Sequence, residues 1–370
     1  MDNSKRREEK RREEKRREEK RREAYDILRV IATLLVVIGH CTYLTISTKY
    51  GGCDYSYLFL DKSFVFKVVS KLTSFIYLFH MPLFIALSGA LFAKSLDRGR
   101  YASFMELLNK KAKRLVIPFI VVTLFYAVPI KFLSGDYNAS TSVFSDVLIG
   151  QVLIQGNTHL WYLLTLFMIF LVVYLCIKNI HKKQTLLFLC LGLLSMASGK
   201  IHIHLLSYVC QYTFWFYAGM LFERHRIFLE DKFSCIKKLL LLDVVLYAIY
   251  EILGHIAMPL PVMVIFKSLK IVLAVMLCLT VYMISYLVAT SNIMASKIFD
   301  VLRRDSLGIY LYSDPFNYLI LACGVTVFGG ELWTSNVYSA GLYLFRIFFT
   351  LSISILVTEF IRRCRIKYIC

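Results

Sequence analysis

The chain has 370 residues, 58% of them hydrophobic and 15% aromatic, and a formal net charge of +19. A soluble domain carries roughly 45–50% apolar residues; here the surplus is collected in runs of the ~20 residues that cross a bilayer, which excludes an ordinary soluble enzyme and leaves no room for a second, soluble domain. The positive charge does not imply nucleic acid, because Lys and Arg cluster in the N-terminal tail and in short loops between apolar runs, where they orient a membrane protein and meet anionic lipid or an anionic cosubstrate.

Residues 5–24 read KRREE three times and then KRREA. This segment has no apolar face to bury, so it is expected as a solvated helix or a disordered tail, residues 1–24, ahead of a single membrane domain, residues 25–370. The first apolar run, Ile27–Ser47, has the basic flank of a signal peptide but is too long and lacks an A-x-A site, so it is retained as a helix. Further runs are centred on 75–93, 115–133, 159–177, 184–198, 205–222, 239–257, 266–289, 306–328 and 338–361. The expected fold is all-α, a polytopic membrane protein of about ten transmembrane helices.

The loops between these runs alternate in charge. Loops 94–114, 178–183, 223–238 and 290–305 and the tail 362–370 are basic, whereas 134–158, 199–204, 258–265 and 329–337 hold a single cation, Lys200. The stretch 44–74, with four Lys residues, is the exception. The positive-inside rule puts the basic set, and therefore both termini, in the cytoplasm.

The ten cysteines lie mostly inside apolar runs, with no CxxC pair and no Cys/His spacing; neither a metal site nor a disulfide framework is supported. Cys364 and Cys370 stand where a terminal lipid anchor is conceivable. Charged and imidazole groups inside spans carry more information, because each is costly there. Arg29 and His40 are eleven residues apart, which returns to within about 20° of one helical face at a rise of roughly 16 Å. Arg29 then sits near the cytoplasmic boundary and His40 past the membrane centre. Arg29 is suited to gripping a phosphate and His40 to taking a proton from a hydroxyl; the plain alternatives are a snorkelling Arg and a His that satisfies a neighbouring helix. Glu251 and His255, four apart, are expected to pair.

The segment YDILRVIATLLVVIGH (Tyr25–His40) resembles the opening of the acyltransferase 3 family, whose first helix carries Arg, ten residues, then His. FHMPLFIALSGALF (Phe79–Phe92) is similar to the second helix of that family and KKAKRLVIP (Lys110–Pro118) to the basic loop before its third. HLWYLLTLF (His159–Phe167), FYAGMLF (Phe216–Phe222) and SLGIYLY (Ser306–Tyr312) follow in the family's order. The resemblance implies an enzyme: an O-acyltransferase in the cell membrane, of bacterial plasma-membrane type. It would move an acyl group, usually acetyl from acetyl-CoA and otherwise succinyl, to a hydroxyl of a carbohydrate. It implies His40 as catalytic base, with Arg29 beside the donor and Lys111 and Arg114 as CoA-binding groups. Lys111 departs from an Arg-x-x-Arg pair common in the family, and Lys is a looser phosphate binder than the planar Arg fork.

Other residues stay open between two readings. Ser88 and Gly89, in a span interrupted by Pro82, are either oxyanion donors or a close helix contact. His80, in FHMP, is a second acceptor-site group or a helix-to-helix bond. Trp161 is an interface anchor or a stacking platform for a sugar ring. Asp314, after Ser313 where many members carry a His, either accepts from a sugar hydroxyl or caps the break at Pro315. Against the enzyme stands a carrier that exports a polysaccharide or lipid-linked sugar without chemistry, although no internal repeat of the kind common in transporters is visible. Expected partners are the carbohydrate acceptor and membrane lipid. No metal is implied, and oligomeric state is not written in the sequence.

Overall fold

The computed structural model describes residues 3–42, 45–48, 51–54, 62–135, 159–180, 184–230, 236–256, 259–289 and 296–366. Cys370 and most of loop 134–158 lie outside these residues. Each of the ten apolar runs falls in a helix among the described residues: α1 (Asn3–His40), α2 (Phe64–Asp97), α3 (Phe104–Leu133), α4 (Trp161–Ile180), α5 (Gln184–Ala197), α6 (His204–Glu230), α7 (Ile236–Gly254), α8 (Leu260–Val288), then, past the short α9 (Lys297–Arg304), α10 (Ser306–Phe328), and past α11 (Glu331–Thr334), α12 (Asn336–Arg363).

By length and composition, four of the described helices can cross a membrane: Phe64–Asp97, Phe104–Leu133, Val262–Val288 and Asn336–Arg363. That is fewer than the ten crossings expected from the sequence. The apolar stretches Trp161–Cys176 and Gln184–Lys200 are shorter. Elsewhere polar groups interrupt the run, Arg29 in α1 and Asp314 with Asn317 in α10. A second correction concerns the first run, which stops being helical at His40; Thr45–Thr48 instead pairs antiparallel with Gly51–Asp54 in a two-stranded ribbon. The architecture is otherwise helical.

The charged repeats form one helix continuous with the apolar part of α1. Their five-residue period spreads charge around the surface but brings Glu8 to Arg12 and Glu13 to Arg17 at 2.6 and 3.0 Å, four residues apart, the spacing that stabilises a solvated helix. Glu251 feels the charge of His255, as expected, but its stronger partner is tertiary: Oε2 accepts from Lys71 Nζ of α2 at 2.5 Å.

Helix packing is closest between α2 and α6. A Cβ at Gly89 would lie 2.0 Å from the Phe216 carbonyl oxygen, and one at Gly219 would lie 1.9 Å from that of Ala86. Two helices thus meet through reciprocal glycines, the small-residue contact that replaces hydrophobic driving force inside a bilayer. Gly89 is therefore a packing residue. Gly308 plays the same part where α10 meets Thr358 of α12.

Candidate active site

Two chambers are stacked along the same helices. The first, of about 360 Å³, is lined by six cations: Arg29, Lys94, Arg98, Arg100, Lys111 and Arg114. That volume falls within the ~300–1,000 Å³ of ordinary ligand sites, and its charge matches a polyanion. Arg29 Nη1 stands 3.3 Å from Asp26 Oδ1, while Lys94 and Arg98 approach Glu18 Oε1 at 3.6 and 2.8 Å. Lys94 above all, with Arg98, holds the Glu18 carboxyl below its ordinary value. Lys111 is set against aromatic rings, its Nζ 3.5 Å from the Phe170 centroid and 5.6 Å from that of Tyr101, an arrangement that attracts a cation electrostatically.

Local sequence explains how Arg114 is aimed. Pro118 cannot donate to the Arg114 carbonyl four residues earlier. The chain widens there into a π-helical turn, Ala112–Val116, in which the Ile117 N–H reaches back to the Ala112 carbonyl; such turns absorb a missing bond and shift side-chain direction. Ser88 also lines this chamber; its hydroxyl lies 3.0 Å from the Phe84 carbonyl and 3.1 Å from the Tyr162 hydroxyl.

The second chamber, of about 270 Å³, is lined by His40 of α1, Tyr77, His80 and Met81 of α2, His159 and Trp161 at the start of α4, Tyr212 of α6 and Tyr310 of α10, with Val36 below His40. It holds three of the residues singled out from sequence: His40, His80 and Trp161. Each helix changes chamber at one level. α1 presents Thr33 to the first and Val36 to the second, α2 Phe84 and then Met81, and α4 Tyr162 and then Trp161. Among the described residues, Tyr310 alone lines both. The first chamber lies at the basic-loop end of all these helices.

His40 is not isolated. Its Nδ1 lies 2.9 Å from Asp314 Oδ1, and His159 Nδ1 lies 3.2 Å from Asp314 Oδ2, which also accepts from the Tyr318 hydroxyl at 2.8 Å. Asp314 is 1% exposed, so its charge faces these partners rather than solvent. Pro315 leaves the carbonyl of Leu311 without its helical donor, and His159 Nε2 stands 3.4 Å from that oxygen. The next carbonyl, of Tyr312, accepts from the Tyr126 hydroxyl at 2.8 Å. The helix runs on through Pro315, with His159 Nε2 and the Tyr126 hydroxyl facing the two carbonyls and Asp314 lying near both imidazoles. Asp314 thus stands within ion-pair distance of His40 Nδ1; a proton on that nitrogen leaves Nε2 as the basic one, the relation by which a carboxylate orients a general base. His80 is bonded differently: its Nδ1 lies 3.0 Å from the Ile76 carbonyl of its own helix, which only an N–H satisfies, so Nε2 is its acceptor. Trp161 lies with its ring 4.5 and 5.0 Å from those of Tyr208 and Tyr212, in an aromatic wall beside the chamber.

Two contributors escaped the sequence reading. Arg346 of α12 is fully buried; its Nε donates to Asn317 Oδ1 at 3.1 Å and its Nη2 to the His40 carbonyl at 3.4 Å, tying the end of α1 to α10. Lys131 of α3 is buried with Nζ 5.1 Å from the Tyr318 ring centroid. Both are charges inside apolar runs, the signal that singled out Arg29, and it was available for them too. His159 was visible in HLWY, but nothing local tied it to Asp314.

No curated protein and no solved structure matches the chain. A family model, described as an acyltransferase domain, matches residues 22–359, from the last charged repeat to the end of α12 and so across both chambers. On that span, the chain belongs to the acyltransferase 3 family of membrane acyltransferases.

Proposed function

We propose that this chain is an O-acyltransferase of the bacterial plasma membrane that moves acetyl from acetyl-CoA to a hydroxyl of a cell-surface carbohydrate or lipid-linked sugar. The observation that carries the proposal is the pairing of His40 Nδ1 with Asp314 Oδ1 at 2.9 Å in a chamber directly above one lined by cations. In this reading the basic loops and both termini are cytoplasmic, and the cationic chamber opens to the cytoplasm. Arg29, Lys111 and Arg114 then take the phosphates of CoA, and the thioester points towards His40.

A sugar hydroxyl is a weak nucleophile near neutral pH. His40 Nε2 accepts its proton as the oxygen attacks the thioester carbonyl, and Asp314 stabilises the imidazolium that forms. The C–S bond then breaks, and the proton passes from His40 to the departing thiolate. The oxyanion that develops between these steps needs a donor; Ser88 and the Tyr162 hydroxyl, 3.1 Å apart on the donor side, are the nearest candidates. Trp161 supplies a face on which a sugar ring can stack, and His80 a second acceptor-side nitrogen.

The test is incubation of purified wild-type and His40→Ala protein with radiolabelled acetyl-CoA and cell-envelope glycan. Label transferred by the wild type alone supports the reading. Equal transfer by both removes His40 from the chemistry. In cells, loss of glycan export with acyl content per sugar unchanged would favour the exporter instead.

A further inference from the structure

The two chambers meet at Tyr310, whose ring joins two others that line the cationic chamber. Phe84 of α2, Tyr162 of α4 and Tyr310 of α10 form a closed triangle, with centroids 5.7 Å apart for Phe84–Tyr162, 5.5 Å for Tyr162–Tyr310 and 6.5 Å for Phe84–Tyr310. Both phenols are tethered. The Tyr310 hydroxyl donates to the carbonyl of His159, and that of Tyr162 is 3.1 Å from Ser88 Oγ. Tyr310 is 5% exposed and Tyr162 7%, so the triangle is packed into the protein and cannot swing freely into solvent. All three rings line the cationic chamber, and Tyr310 also lines the His40 chamber.

We propose that this triangle is the acyl-size filter of the enzyme, admitting an acetyl group to His40 and rejecting longer or charged acyl groups such as butyryl and succinyl. The inference rests on the acyltransferase reading above. If CoA is held by the cations on one side and the base lies on the other, the thioester carbonyl has to be presented at the level of Tyr310. There the acceptor oxygen bonds to the carbonyl carbon, the C–S bond breaks, and the hydroxyl proton ends on the CoA thiol; nothing is oxidised or reduced. An acetyl group adds one methyl beyond that carbonyl. A butyryl chain has to displace a ring, together with the bond from Tyr310 to the His159 carbonyl. A succinyl carboxylate meets ring faces of negative potential and loses its hydration on passing them.

The experiment measures kcat/KM of the full-length protein for radiolabelled acetyl-, butyryl- and succinyl-CoA with envelope glycan as acceptor, in wild type, Tyr310→Ala, Phe84→Ala and Tyr310→Phe. Wild type should prefer acetyl to butyryl by about 10-fold or more, the scale on which an apolar site discriminates between chain lengths. Tyr310→Ala and Phe84→Ala should each lower that preference by roughly 10-fold, whereas Tyr310→Phe, which keeps the ring and loses only the tether, should retain most of it. Because the two alanine variants remove rings from different helices, loss of fold in one leaves the other as the test. Wild-type use of butyryl or succinyl as readily as acetyl would overturn the filter, as would an acetyl preference unchanged in both alanine variants. Failure of wild type to transfer any of the three groups would overturn the acyltransferase reading, and the filter with it.

Discussion

Replacing Asp314 by Asn separates the proposed catalytic pair with little change of shape. The carboxylate lies 2.9 Å from His40 Nδ1 and is almost wholly buried, and at an effective dielectric of ~20 a full charge pair at that distance is worth about 6 kcal/mol. Asn retains the side-chain volume and one acceptor oxygen, so part of that interaction survives as a neutral hydrogen bond. A loss of about 3–5 kcal/mol in the transition state, where His40 carries its proton, corresponds to roughly a 10²–10⁴-fold fall in kcat. The KM for acetyl-CoA should hold, because Asp314 does not line the cationic chamber. Steady-state transfer of labelled acetyl separates the two constants, and a thermal melt of the variant in detergent checks that it is folded. An Asp314→Asn protein that is folded and retains wild-type kcat would refute the assignment of Asp314 as the group that orients His40.

Two further outcomes concern stability. Gly89→Ala sets a Cβ against the rigid backbone oxygen of Phe216, so α2 and α6 must move apart; a loss of about 1–3 kcal/mol is expected, read by thermal unfolding in micelles, and an unchanged melting temperature would contradict the contact. Asp305, between α9 and α10, takes a bidentate bond from Arg304 at 2.9 and 3.0 Å and another from Arg362. Burial pushes its carboxyl up, but the two guanidiniums together outweigh that and hold it below the usual carboxylate value. Such a group stabilises the fold above its unfolded pKa, and the contribution disappears as the pH falls through the lowered folded value. Asp305→Asn should therefore cost about 1.5–3 kcal/mol at neutral pH and progressively less in acid; an equal cost at pH 7 and pH 3 would count against the network.

Helices were legible where their cause is local. A run of apolar residues stabilises a helix in lipid whatever its neighbours are, which is why each of the ten runs carries a helix, although the first stops being helical at His40. The face shared by Arg29 and His40 follows from helical periodicity alone, and both residues line the stacked chambers. Where the cause was non-local, the reading failed or stayed open. Glu251 and His255 have the right spacing to pair, yet Lys71 on another helix is the stronger partner of Glu251. Ser88 and Gly89 read as one unit, but one lines a chamber while the other presses against the backbone of Phe216. The hydropathy of α1 and α10 is lowered by the same polar residues that build the site, so the functional helices are those that look least like membrane spans.

The sequence by itself determined which segments are apolar enough to be buried, which ends are basic, and that the first helix carries a cation and an imidazole on one face, because each of these depends only on residues within a few turns of one another. Tertiary structure decided what those groups meet. Asp314 reaches His40 and His159 where Pro315 leaves the Leu311 carbonyl without its helical donor, His159 lies beside that carbonyl, and Arg346 of α12 ties the end of α1 to α10. The three rings grouped at Tyr310 come from α2, α4 and α10, which become neighbours only when the helices pack. A buried charge is tolerated only where partners from other helices surround it, and that requirement is met by the folded bundle as a whole.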